Sequence, residues 1–595
     1  MAMVMLSLIP QIHLWAVRGR DWNGAYATVQ GDEFLYSAYV NALVDSRSRR
    51  NDPFSGRDST SMAPLPESTF SIQFIPAYSI ALFARVFRVS TSTAFIALSA
   101  TSALLASLSL FWLLALITGD RRLAAIGVLL TLCCGELAGD QGILGVVLLG
   151  HQRSVLMPFL RRYQPAAAFP LFFVFIALIW RALTIEVRRR ARLYSTFAGL
   201  TLAVLVFSYL YLWTAAAAWL ACIALFWLYL RPTADRQRNF ESFAITTSIA
   251  ILALVPYAYL VWYRGGSLDD VQILTLTHRP DLFHAPELIG ALILILLALS
   301  IRRGKIKQNE PSLIFAASLA VLPFPLFNQQ ILTGRSMQPF HFDLFIANYA
   351  VLVSLLIVAA LVWQPLPKRF LFWIGVLCFS WGAVETGLLA FARTKADVTS
   401  DQTIPILLRL RELSKQDGTV AGLRDQGKVQ AVVLSPQVEV MKLLPTWTPQ
   451  GTLLGAGALD FGSAPSHKAR KDLLYIYLYY CGADAQRFRE YLDQQSDDSY
   501  MNFYANSVVF GDERIIPELG LYPKPIQQNE IEQEVRAYQA YVDSFSRERV
   551  LEHPLTYVIT KAEVEPDLSH IDRWYARDGG EHMGTYNLYR LSLRN

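Results

Sequence analysis

Ten long apolar runs, at 2–17, 92–118, 122–138, 167–182, 195–231, 241–263, 286–301, 312–328, 344–363 and 368–391, limit this chain to very few architectures. About 20 apolar residues in a helix cross the ~30 Å hydrocarbon layer of a bilayer. No water reaches that layer to satisfy backbone groups, so each run must form a helix and supply its own hydrogen bonds. The run 195–231 is long enough for two helices, which brings the expected number of spans to eleven. Only 17% of the residues are charged and 53% are hydrophobic, whereas charged residues make up about a quarter of a soluble protein. The pattern stops near residue 400. The first 400 residues hold 53 of the 101 Asp, Glu, Lys and Arg residues, and the last 195 hold 48. The expected fold is therefore a multi-span α-helical membrane body, residues 1–395, followed by a soluble domain, residues 396–595, of α/β or α+β type. In that domain 429–434 and 557–561 read as strands, and 468–480, 485–493 and 530–548 as helices.

Charge placement predicts the orientation. The first 400 residues carry 32 basic against 21 acidic groups and the tail 21 against 27. The short connections 181–194, 231–240 and 302–307, with Lys368 and Arg369, are all basic and should be cytoplasmic. The segment Ser71 to Val89 contains Pro76, Arg85 and Arg88, and it suits a helix lying along the membrane interface rather than a crossing. This scheme places the N-terminus inside and the loops 18–91, 139–166, 264–285 and 329–343 outside, together with the tail. The protein would be integral to an inner, cytoplasmic membrane, with Met1 to Val17 retained as its first helix, since that segment has no charged lead and no small-residue cleavage site. Cys133, Cys134, Cys222 and Cys378 lie in apolar runs and Cys481 in the tail, so neither a disulfide framework nor a CxxC metal site is present. No polybasic tract or aromatic RNA motif points to nucleic acid.

Four outer features could carry chemistry. In the first loop Asp32 and Glu33 open an amphipathic helix, where a carboxylate can cap the helix N-terminus or act as a base at the membrane surface. The second loop holds Arg153 and then Arg161-Arg162-Tyr163-Gln164 immediately before a span. Arginines on the outer side suit either head-group anchoring or a phosphate, which a planar guanidinium fork fits well. After residue 328, Gln329, Gln330, Arg335, Gln338 and His341 supply amides, a guanidinium and an imidazole suited to sugar hydroxyls and phosphate. His278 with His284 forms a weaker version of the same signal and a poor metal pair. Tyr209 and its aromatic neighbours read as an interfacial belt. Glu385, inside the last span, should face a cavity or a partner. The tail has neither a nucleotide-binding glycine pattern nor a nucleophile elbow, and reads as a lid or acceptor-holding module.

Taken together, the acidic pair in a long first outer loop, the multi-span body, the arginine-bearing second loop and the outer C-terminal domain resemble the GT-C class of integral-membrane glycosyltransferases. That class includes protein O-mannosyltransferases, aminoarabinose transferases of lipid A and oligosaccharyltransferases. The loop from Asn328 to His341 looks like that of uncharacterised bacterial members. The resemblance covers roughly residues 1–395. It implies a polyprenyl-phosphate or diphosphate sugar donor and an acceptor hydroxyl on a glycan, lipid or protein. Asp32 would be the base, with Glu33 its neighbour or alternate. Arg153, Arg161, Arg162 and Arg335 would bind the lipid phosphate; Gln164, Gln329, Gln330, Gln338, His341 and His278 would hold sugar or acceptor. No second acidic motif supports a divalent metal, and no other cofactor is implied. Two other classes compete with this one. A lipid-linked-saccharide transporter or flippase should show inverted repeats with broken helices, which the sequence lacks. A non-catalytic polysaccharide-assembly protein would leave the polar loops incidental.

Overall fold

The computed structural model describes the chain except for residues 140–141, 143–156, 232–235, 267–272, 364–365, 417–431, 456–465, 516–524 and 564–566. Helix α1 is Ala2–Arg18 and α2 is Glu33–Val44; α3 is Thr69–Ile72, α4 Ile75–Phe87, α5 Thr91–Thr118, α6 Arg121–Cys133 and α7 Gly135–Ala138. Then come α8 Phe169–Thr184, α9 Arg188–Val206, α10 Leu210–Leu230, α11 Arg236–Trp262, α12 Ala285–Arg302, α13 Pro311–Val321, α14 Asn348–Trp363 and α15 Lys368–Gln416. Among the described residues seven helices are long and apolar enough to cross a membrane: α5, α10, α11, α12, Pro311–Thr333, Pro339–Trp363 and α15. The other four expected spans are helical but shorter or more polar: α1 has 17 residues, α6 13 and α8 16, and α9 opens on a run of arginines. Helix α4, over the segment set aside as interfacial, has 13 residues; at 1.5 Å each it reaches about 20 Å, too short to span.

Local chemistry sets the helix ends. Ser90 caps α5 by accepting the Thr93 N–H at 3.1 Å, and Asp120 caps α6 by accepting from Arg122 and Leu123. Midway along α5 the packed face is small and the outer face large. In α5, Ser99, Ser102, Ala103 and Ala106 are buried while Leu104, Leu105 and Leu108 are exposed. Lipid is as apolar as leucine, so association depends on close approach of backbones rather than on removal of apolar surface from water. Gly290 shows the limit, because a Cβ there would lie 2.3 Å from the Ala320 carbonyl oxygen of α13.

The loops fall into two groups by contact. Gln164 bonds Gln73 and the Ser208 carbonyl, strand β1 (Asn51–Asp52) pairs with β2 (Arg57–Asp58), the Glu67 N–H donates to the Tyr263 carbonyl, and strand β3 (Ile273–Leu276) pairs with β4 (Arg335–Met337). At the other end Arg188 and Arg192 meet Glu241, and Arg238 donates to the Glu186 carbonyl.

Helix α15 has 49 residues, about 73 Å at 1.5 Å each. It runs through residues 395–396 without a break, so body and tail share one rod. Its far half buries Ile406, Leu407 and Leu410 against the tail sheet. There β5 (Val432–Leu434) lies parallel to β6 (Gly451–Thr452) and β7 (Tyr557–Lys561). Strand β10 (Tyr586–Leu593) is antiparallel to β7, β8 (Tyr575–Arg577) and β9 (Glu581–Met583), which makes a mixed sheet in the order β6-β5-β7-β10-β8. The expected helices are found at His467–Tyr480 and Ala485–Leu492; the third ends at Asp543, and a new helix starts at Arg547. Residues 429–431 of the expected first strand lie outside the described residues.

The close crossing gives a test with opposite signs. Gly290→Val should destabilise the detergent-solubilised protein by about 1–3 kcal/mol through overpacking. Gly387→Ala in α15, where a Cβ meets nothing within 4 Å, should be neutral or stabilising by up to ~1 kcal/mol. Thermal melting of the two variants measures both.

Candidate active site

The site forms where the turn before α2 meets the segment before α8. Asp32 occupies the N-cap position of α2, yet its side chain makes no capping hydrogen bond. The carboxylate turns instead to Arg161, whose Nη1 lies 2.9 Å from Oδ2. Half of the Asp32 side chain remains exposed, while Arg161 is buried. Arg161 also donates through Nε to the Gln164 carbonyl at 2.6 Å, through Nη1 to Gln30 at 3.1 Å and through Nη2 to the Tyr209 hydroxyl at 3.3 Å. Its guanidinium stacks 4.6 Å from the Phe345 ring centre and 5.7 Å from that of Tyr36. Burial opposes charge on Arg161, but Tyr36, Tyr209, Asp32 and Glu33 more than offset it, so the group stays protonated.

Glu33, the next residue, behaves differently. It is wholly buried and pairs with buried Arg162 at 3.0 Å. Its Oε1 accepts the Arg162 N–H at 2.7 Å and its Oε2 the Val29 N–H at 3.1 Å. Arg162 donates as well to the carbonyls of Ala27 at 2.6 Å and Phe95 at 3.1 Å, and it lies over the Tyr26 ring. These bonds commit both groups to joining the first loop, the second loop and α5. Tyr163 between them adopts φ 73 and stacks its ring on Tyr36.

The remaining expected residues separate into two sets. Gln164 is buried, and its amide ties Gln73 to the Ser208 carbonyl. His341 joins the Arg161 side of the site: its ring stacks 4.3 Å from Tyr211 and lies 6.3 Å from Tyr209, and its buried Nδ1 has no hydrogen-bond partner among the described residues. Gln338, buried, stands at the start of the same turn. Arg335, Gln329, Gln330 and His278 form a second patch around β3 and β4. There Gln329 donates to the Arg335 carbonyl, Gln330 to the Arg279 carbonyl, and His278 bonds the Ile331 carbonyl. Arg335 itself is exposed. Arg153 lies outside the described residues. Glu385 is buried, and its neighbours include Glu136 and Gly142: a Cβ on Gly142 would lie 2.8 Å from Oε1 of Glu385 and 3.2 Å from Cβ of Glu136.

Several contributors were not apparent in the sequence. Tyr209, read as part of an interfacial belt, supplies a hydroxyl to Arg161. Asp401 accepts from Arg18 and from the backbone of Asn23 and Ala25, and Asp397 accepts the Thr28 N–H and hydroxyl. The spacing of Asp397 and Asp401, one helical turn apart, was the only sequence signal for these two. Among the described residues no three His, Cys, Asp or Glu side chains gather as metal ligands.

No protein-family model matches the chain, and no curated protein matches it. Several solved structures are similar to it, among them the following three. The oligosaccharyltransferase of Archaeoglobus fulgidus in the apo form shares 13% identity at a TM-score of 0.45, over 97% of this chain and 73% of that one. The archaeal oligosaccharyltransferase AglB from Archaeoglobus fulgidus, in complex with an inhibitory peptide and a dolichol-phosphate, gives 13% and 0.45 over 99% and 74%. ArnT from Cupriavidus metallidurans in the apo state gives 13% and 0.41 over 99% and 97%. These are GT-C glycosyltransferases, the class that the sequence resembles. Likeness this slight carries no function across, so any assignment rests on the side chains.

The buried pair can be tested by a double-mutant cycle. Arg162→Met or Glu33→Met alone strands a buried charge and should cost about 3–5 kcal/mol. The double variant should recover a large part of that loss. Asp32→Asn, at a half-exposed pair, should change stability by less than ~1 kcal/mol. Thermal melting of the four variants and the parent reads the result.

Proposed function

We propose that this protein is an inverting glycosyltransferase that moves a sugar from a polyprenyl-phosphate or diphosphate donor to an acceptor hydroxyl at the outer membrane face. The observation that carries this reading is the placement of Asp32: exposed, released from capping its own helix and held by a buried guanidinium at 2.9 Å. A carboxylate held in this way can take a proton from an acceptor hydroxyl. The hydroxyl oxygen then attacks the anomeric carbon from the face opposite the lipid phosphate. The C–O bond to phosphate breaks, the electron pair leaves with the phosphate and the configuration inverts. Arg335, the exposed guanidinium of the β3–β4 patch, would stabilise the charge on the departing phosphate. Arg161 orients the base, and the Arg162–Glu33 pair holds the loop that presents it. His341 and Gln338 would face the donor sugar.

The basic end of the bundle, with Arg188 and Arg192, would lie in the cytoplasm, and the site and tail would lie outside. Asp32→Asn in the purified full-length protein should lower kcat for sugar transfer from a polyprenyl-linked donor by about 10²–10⁴ with melting unchanged. Survival of transfer in that variant, or a product with retained anomeric configuration, would remove Asp32 as the base of an inverting reaction. A cysteine at position 189 in whole cells should be shielded from a membrane-impermeant thiol reagent; ready labelling would reverse the orientation.

A further inference from the structure

The end of α2 remote from Asp32 borders a second feature. An open groove of about 530 Å³ lies between α2 and α4, walled by Leu43, Phe74 and Leu82 and rimmed by Ser46, Ser79 and Arg85. Its position relative to the membrane follows from α4. Leu82, Val86 and Phe87 are 62%, 65% and 64% exposed, more apolar surface than a water-facing helix normally shows. Three residues past the end of α4 the chain caps α5, which is apolar enough to span. Helix α4 therefore lies at the level where α5 enters the bilayer, with its uncovered apolar face toward lipid. Leu82 belongs both to that face and to the groove, so the groove opens to the membrane.

The exposed cation at its rim matches a lipid head group. Arg85 caps α2 from outside: Nε donates to the Val44 carbonyl at 3.2 Å, and Nη2 donates to the Leu43 carbonyl and to the Ser46 hydroxyl. Nη1 makes no hydrogen bond among the described residues, and the side chain is exposed. Arg88, at the end of α4, has φ 53 and is also exposed, with no side-chain hydrogen bond among the described residues. An apolar trough that opens to lipid and carries guanidinium donors and two serine hydroxyls at its rim has the chemistry of an amphiphile with an anionic head.

We propose that this groove binds an anionic membrane phospholipid, with an acyl chain against Leu43, Phe74 and Leu82 and the phosphodiester at Arg85. The inference does not depend on glycosyl transfer. The lipid would brace α2 at one end while Asp32 works at the other.

The test uses the full-length protein in phosphatidylcholine nanodiscs that contain a trace of phosphatidylglycerol with a photoactivatable acyl chain. Cross-links should map to residues 43–47 and 74–88 and exceed those of the matching phosphatidylcholine probe by about fivefold, the gain expected from one basic residue near an anionic head group. Arg85→Gln should remove most of that preference, and Ser79→Trp, which fills the rim from its exposed side, should abolish labelling. On the unmodified protein, excess unlabelled phosphatidylglycerol should compete, whereas free glycerol phosphate should not. Equal labelling by the two probes, undiminished labelling in Ser79→Trp, or displacement by polyprenyl phosphate at a lower concentration than by phosphatidylglycerol would each overturn the proposal.

Discussion

The buried ion pair between Glu33 and Arg162 holds the site together. Two charges removed from water are tolerable only when their remaining donors and acceptors are filled, and here they are filled by backbone from three places. Val29 donates to the carboxylate, and Ala27 and Phe95 accept from the guanidinium. The pair therefore fixes the approach to α2, the start of α5 and the segment before α8 relative to one another. An apolar contact could hold the same surfaces together, but it would not set their register, because dispersion and burial are not directional.

That register explains why two adjacent carboxylates do different work. Asp32 and Glu33 face two adjacent arginines, 161 and 162, so a single docking event pairs both. One pair lies inside the loop junction and is dry. The other lies at its mouth, where Asp32 keeps half of its surface while Arg161 is sealed between Phe345 and Tyr36. Arg161 is thus anchored by protein on every side but one, and the remaining side holds the carboxylate in the open. An anchored cation beside a half-exposed carboxylate fixes the position of that carboxylate without burying it.

The sequence disclosed the membrane body and the loops that meet at one end because both follow from local composition. An apolar run of spanning length needs no knowledge of its neighbours, and basic short loops reveal which connections belong together. The division of labour within the acidic pair was hidden for the opposite reason. Whether Asp32 or Glu33 is buried depends on Arg162, which is 129 residues from Glu33. Tyr209 was misread because an aromatic at a span end resembles an interfacial anchor whether or not its hydroxyl is taken. The amide-rich loop after residue 328 was read as one binding element, yet the fold splits it. The strand pairing of 335–337 with 273–276 consumes Gln329 and Gln330 in holding backbone, while the turn beyond Pro339 carries His341 to the site.

The junction between body and tail was the other feature that composition could not show. Charge density changes near residue 400, which separates two regions, but the chain crosses that point inside α15. Beyond the bundle this rod bonds the segment that leads to the acidic pair, through Asp397 to Thr28 and Asp401 to Asn23 and Ala25. Arg411 then pairs with Asp45 at the far end of α2. The tail adds Phe34 to its own apolar cluster and bonds Phe54 through Thr452. Helix α2 is thus gripped at its first turn, at the residue that follows it and along one flank by a region that follows it by more than 350 residues. Domains joined by flexible linkers move independently by default, but a continuous helix with contacts on both sides of the boundary removes that freedom. The tail therefore braces the helix that carries the acidic pair, and the geometry at Asp32 depends on both regions folding together.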